Sequence, residues 1–215
     1  MKGLSEVLET HPEIRLTVVE SKELGPRGVP GFYHARVGKN GHPDQKTDEF
    51  VRIASRELAV PRSIGMVKMC YVDVTEDSDP RVLLDDYQRK IAALRAKNPG
   101  LTVVHFTMPL VTGESTLHYW KLKLRRYSTE RDRNIIRNRY NELLRQAYGG
   151  REPIFDIAEI ESTHADGSRS FLKRLGKVVY VMSREYTDDG GHLNEAARRL
   201  VAEQLLVFLA KLPAS

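Results

Sequence analysis

Toward the C-terminal end of the chain, Asp189 and His192 stand three residues apart in Tyr186-Thr187-Asp188-Asp189-Gly190-Gly191-His192-Leu193-Asn194. An aspartate at that spacing can accept a hydrogen bond from imidazole Nδ1, which fixes the tautomer and leaves Nε2 as a base facing a cleft. The two intervening glycines free the backbone to turn tightly enough for both side chains to share a direction. Base plus orienter are two members of a nucleophile triad, in which the carboxylate stabilises the imidazolium formed when the nucleophile loses its proton. The competing reading of so short a pattern is a turn before a helix, with a solvated Asp and a surface His. A metal site is disfavoured, because no second His or Cys lies nearby at ligand spacing. Acyl transfer through such a triad calls for no metal and no organic cofactor.

Those residues need elements to hold them, and the chain alternates short apolar runs with helical periodicity. Ile14–Val19 reads as a strand, and a Gly/Pro-rich loop follows from Gly25 to Gln45. Thr47 is placed to cap a helix whose buried stripe is Phe50, Ile53, Ala54 and Leu58, with Pro61 beyond its end. Ile64–Asp73 reads as a second strand. Asp79-Pro80 starts a helix carrying Leu84, Tyr87, Ile91 and Leu94, which Asn98-Pro99-Gly100 stops. Leu101–Thr107 is a third strand, and Leu110–Ser128 an irregular excursion. Ile135, Ile136, Tyr140, Leu143, Leu144 and Ala147 mark the next helix, ended by Gly149-Gly150. Ile154–Ile157 is a fourth strand, Val178–Met182 a short strand in a second excursion, and Asn194 caps a last helix. This alternation predicts a three-layer α/β/α fold around a mostly parallel sheet, with functional residues on loops beyond the carboxyl ends of the strands.

Composition narrows the classes further. In 215 residues, 40% are apolar, enough for one core and one domain. No apolar run approaches the ~18 residues of a membrane span. Charges at Lys2, Glu6, Glu9, Glu13 and Arg15 break any signal-peptide core. One cysteine, Cys70, excludes an internal disulfide framework and is read as an inert core thiol. The chain as written fits a reducing, cytoplasmic compartment; secretion or a periplasmic site would require a signal segment upstream. The net charge is +5, and nine Lys/Arg face three Asp/Glu between Lys121 and Arg145. Sparse aromatic interleaving among Arg125, Arg126, Arg131, Arg133, Arg137 and Arg139 favours a solvated helix face over a nucleic-acid surface. His105 reads as a satisfied buried imidazole, and His34, just before the Val37–Gly41 loop, as a packing residue or one that lines the cleft. Tyr119 and Trp120 could wall a sugar site or anchor the excursion.

The block Asp189-Gly-Gly-His192-Leu-Asn before a C-terminal helix resembles the last block of the SGNH/GDSL-type hydrolases. Val37-Gly38-Lys39-Asn40-Gly41 stands where that family has its oxyanion glycine, and Met69-Cys70-Tyr71-Val72-Asp73 where it has Gly-x-Asn-Asp. Arg137-x-x-Tyr140-Asn141-x-x-Leu144 resembles the helix before the family's last core strand, and Phe155-Asp156-Ile157-Ala158 that strand. More narrowly, the chain resembles a bacterial SGNH-like subgroup. The resemblance implies a serine esterase acting on a small-molecule or carbohydrate ester, an acetylated sugar being one such substrate. His192 would be its base and Asp189 the orienter, with the Gly38 N–H and Asn40 stabilising the oxyanion and Asp73 in a structural part. The family's first block, a strand ending in the nucleophilic serine, is absent. Gly3–Leu8 resembles the helix that follows it, which implies a first central strand and serine upstream of Met1, lost from between the second and third strands. Alternatively, Ile14–Val19 is the first strand and Ser21 the nucleophile; Ser5 has no strand before it. A third alternative is an inactive or truncated relative.

Overall fold

The computed structural model describes residues 2–20, 30–59, 62–125, 127, 129–174 and 176–213. The chain begins with helix α1 (Lys2–Thr10), followed by strands β1 (Val18–Glu20) and β2 (Phe32–His34) and helix α2 (Pro43–Glu57). Strand β3 (Ile64–Val67) leads through a 3-10 turn at Tyr71–Asp73 to α3 (Pro80–Lys97) and β4 (Thr102–Phe106). Helices α4 (Thr116–Leu124) and α5 (Glu130–Tyr148) precede β5 (Ile154–Phe155) and α6 (Ile157–Ser162). The hairpin β6 (Phe171–Arg174) and β7 (Lys177–Tyr180) and the long α7 (Glu195–Ala210) complete the chain.

Alternation along each strand builds the three layers, because successive side chains leave a strand on opposite faces. Val67, Val103 and Ile154 point to one side and pack with Phe50, Leu84, Ile91, Leu94, Tyr140 and Leu144 from α2, α3 and α5. Met66, Val104 and Phe155 point to the other side, against Ile157, Val201, Leu205 and Phe208 from α6 and α7. Helix α1 lies on α7 through Leu4 and Val7. Gly3 permits that contact, since a Cβ there would stand 2.3 Å from the Arg198 carbonyl oxygen.

The parallel sheet is divided. β3, β4 and β5 pair in that order with Met66 opposite Val104 and His105 opposite Ile154, while β1 and β2 form a separate parallel pair. Among the described residues no ladder joins the two, so β3 is paired on one edge alone. β6 and β7 are antiparallel, with Leu172 opposite Val179.

Several boundaries differ from those the pattern suggests. Helix α2 begins at Pro43 rather than after Thr47. Proline suits the first turn, and the Thr47 hydroxyl bonds back to the Pro43 carbonyl within the helix instead of capping it. The strand expected over 64–73 stops at Val67, and its last part is instead a 3-10 turn at Tyr71–Asp73 that Asp73 closes by accepting the Cys70 N–H. The segment expected to be irregular over 110–128 contains α4. The strand expected over 154–157 ends at Phe155, because Asp156 accepts the Glu159 N–H and starts α6. Asp79 and Asn194 cap α3 and α7, accepting from Arg81 and Ala197 N–H, and α5 ends at Gly149.

Candidate active site

The loop preceding α7 holds Asp189 and His192 together. Asp189 Oδ2 lies 2.6 Å from His192 Nδ1, while Asp189 Oδ1 accepts the backbone N–H groups of Gly191 and His192 at 2.8 and 2.7 Å. Those backbone donors, followed by the imidazole contact, hold the Asp189 carboxyl far below the usual carboxylate range. The carboxylate is therefore charged at every physiological pH, and the Nδ1–H tautomer of the ring follows. Gly190 has φ +89°, a conformation natural to glycine, and a Cβ there would also meet the Thr112 hydroxyl at 2.8 Å. The loop is docked by the Thr112 N–H, which donates to the Gly190 carbonyl at 2.9 Å. The His192 side chain is 72% exposed.

Nε2 of His192 lies 3.4 Å from the Tyr71 hydroxyl, and the two rings meet edge to face with centroids 5.4 Å apart. Tyr71 is in turn held from below. Its carbonyl accepts two N–H groups of Arg137, whose guanidinium also pairs with Glu130 at 2.8 Å. Tyr71 escaped the sequence reading because its partner is 121 positions away and no local pattern marks the contact.

Beside Tyr71, the 3-10 turn carries Asp73, which is buried and accepts from the Cys70 N–H at 2.6 Å, the Gly41 N–H at 3.0 Å and Lys46 Nζ at 2.8 Å. Lys46 Nζ also donates to Asn40 Oδ1 at 3.1 Å, which leaves the Asn40 side-chain N–H groups as the free end of that amide. Lys46 sits one turn before Phe50 and two before Ile53 and Ala54 on the buried stripe of α2. A lysine on an apolar stripe is a legible signal of a buried ion pair. The Gly38 N–H, expected as an oxyanion donor, is already committed: it donates to Glu49 at 2.6 Å. Gly38 takes a positive φ of +58° against Lys46, so its part here is to let the loop lie on α2.

Ser21 lies outside the described residues. Cys70 is partly buried and caps the 3-10 turn from the position before Tyr71. His105 is fully buried, bonded to the Tyr87 hydroxyl and Glu152 and stacked on Tyr148, so burial lowers its pKa and it serves packing. His34 lies partly buried in β2, and burial lowers its pKa as well. Among the described residues no group of three metal-ligating side chains converges. A mainly apolar cavity of about 230 Å³ opens between α2 and α3 at the carboxyl ends of β3 and β4, lined by Pro43, Met69, Val82, Leu83, Met108 and Tyr140, with Asp44, Thr47 and Asp86 also in its wall.

A second group that no pattern revealed is Glu161, fully buried on α6. Burial pushes its carboxyl up to about 8, although it accepts the Leu110 N–H at 2.7 Å. That bond secures the Leu110–Thr112 segment on which the Asp189–His192 loop rests.

Two solved structures are similar to this chain. A structure from Streptococcus pneumonia, provisionally described as a platelet activating factor, matches over 97% of this chain and 91% of its own at 16% identity, with a TM-score of 0.53. A salicylyl-acyltransferase of a tetracycline biosynthetic pathway, SsfX3, matches over 88% of this chain and 48% of its own at 15% identity, with a TM-score of 0.39. Neither a family model nor a curated protein matches the chain. The first likeness establishes the fold: a mixed α/β protein with a mostly parallel sheet between two helical layers.

Proposed function

We propose that the chain is an SGNH-type acyl-ester hydrolase domain in which His192 is the general base and Asp189 its orienter. The supporting observation is the 2.6 Å contact between Asp189 Oδ2 and His192 Nδ1, with the carboxylate's other oxygen clamped by two backbone N–H groups. That clamp supports the directional half of a triad: it sets tautomer and ring plane and leaves Nε2 for a hydroxyl. In this reading a serine hydroxyl gives its proton to Nε2 as its oxygen attacks the ester carbonyl. The imidazolium then returns the proton to the departing alkoxide, and water repeats the cycle on the acyl-serine. The free N–H groups of Asn40, oriented through Lys46 and Asp73, stabilise the tetrahedral oxyanion. The cavity between α2 and α3 takes a small apolar acyl group. In this reading the nucleophile is Ser21, or a serine on a strand pairing with the edge of β3 that is unpaired among the described residues.

The test is hydrolysis of p-nitrophenyl acetate by this chain and by a version extended upstream of Met1. His192→Ala should lower kcat by about 10⁴-fold in whichever version is active, the loss expected of a triad member. An unchanged rate refutes the assignment. The Tyr71 hydroxyl 3.4 Å from Nε2 favours a second reading, a non-catalytic relative whose base is already partnered. That reading requires both versions, and Tyr71→Phe of each, to lack turnover.

A further inference from the structure

Helix α4 is apolar on two sides, and one of them is largely exposed. Tyr119 points inward, buried between the guanidinium groups of Arg131 and Arg174 at 5.0 and 5.3 Å from its ring. Leu117, Trp120 and Leu124 lie on the opposite arc, since spacings of three and seven return to one helical face. They are 68%, 63% and 89% exposed. Lys121 falls on the same arc and Arg125 follows the helix end; both are exposed, and neither makes an ion pair among the described residues. The adjoining β6–β7 hairpin shares a groove with Tyr119 and Trp120 through Leu172, Arg174 and Val179, while its exposed Phe171 and Val178 lie on the hairpin's other face.

Four arginines of α5 are paired within the chain. Arg133 pairs with Glu130, Arg137 with Glu130 in the interior, Arg139 with Glu142 and Arg145 with Asp156. The basic excess of the sequence is thus not a continuous cationic face along α5. What stays open is a short apolar stripe with lysine and arginine beside it, rich in leucine and carrying an indole.

We propose that the α4 face docks on an anionic lipid surface. Leucine and tryptophan enter the headgroup boundary, and Lys121 and Arg125 meet the lipid phosphates, the division of labour of an interfacial helix. Charge complementarity selects this occupant. A second copy of the chain would set like charges against each other across a symmetric interface. Aliphatic Leu117 and Leu124 offer a nucleic acid no stacking surface. The proposal is independent of the hydrolase reading.

Trp120 is the single tryptophan of the chain, so its emission reports on this helix alone. With vesicles of phosphatidylcholine containing about 30% phosphatidylglycerol, the emission should shift to the blue and the protein should sediment with the vesicles. Phosphatidylcholine alone should bind at least about tenfold more weakly. Leu117→Glu/Leu124→Glu should lose about tenfold or more in partitioning, and so should Lys121→Glu/Arg125→Glu, at about fivefold per charge removed. All four side chains are exposed, so unchanged circular dichroism and melting temperature confirm that these variants fold. Absence of both shift and sedimentation overturns the proposal, as does equal binding by the leucine variants. A dimer dispersed by Leu117→Glu/Leu124→Glu without vesicle binding assigns the face to a second copy instead. Salt-sensitive retention on duplex DNA without vesicle binding assigns it to nucleic acid.

Discussion

Glu161→Gln should stabilise the folded chain in alkaline solution and change little at pH 5. The carboxyl of Glu161 is fully buried, and removal from water lifts its pKa from 4.5 to about 8 against the opposing fields of Lys68 and Arg137. A raised acid holds its proton more tightly in the folded state than in the unfolded one. Its contribution is therefore fully present below pH 4.5 and is lost as pH rises through 8, because ionisation then favours the unfolded chain. A difference of that size corresponds to roughly 5 kcal/mol in full, of which about 3–4 kcal/mol falls between pH 5 and pH 8. Glutamine keeps a carbonyl to accept the Leu110 N–H and cannot ionise. Urea unfolding followed by circular dichroism at pH 5, 7 and 9 measures the difference directly, since every other titrating group cancels between the two proteins. Parallel pH dependences for the two proteins would refute the reasoning, and so would a variant less stable than the parent at pH 9.

Lys46→Met strands the Asp73 carboxylate in the interior with its two backbone donors alone, which should cost about 3–5 kcal/mol in urea unfolding. A loss below about 1 kcal/mol would mean that those amides suffice. Gly3→Val places a branched side chain against the Arg198 carbonyl, so α1 should leave α7 and its amides lose protection in hydrogen exchange. Unchanged protection would show that the helices can spread at no cost. Asn194→Ala removes the side chain that accepts the Ala197 N–H, a loss of about 1 kcal/mol readable as a lower melting temperature.

The local features of this protein were legible in its sequence. Asp79 and Asn194 cap their helices because a short polar side chain reaches a backbone N–H two or three residues on, whatever the rest of the chain does. The Asp189–His192 contact has the same local character: two glycines and a spacing of three bring carboxylate and imidazole together within one turn. The apolar periodicities likewise mark the alternation of strand and helix, since burial on one face demands a period of two or 3.6. Where two local preferences compete, as at Pro43 against Thr47, the pattern alone misplaces the boundary.

What the tertiary structure decided are contacts between distant segments. Nothing near Tyr71 announces His192, nothing near Gly38 announces Glu49, and the arginines of α5 read as an open basic face until Glu130, Glu142 and Asp156 are seen beside them. The division of the sheet into a β1–β2 pair and a β3–β4–β5 ladder belongs here as well. Sequence-local forces act over one or two turns of chain. Which N–H is spent, which charge is neutralised and which face stays bare depend on the packing of whole elements, and that is settled when the layers close.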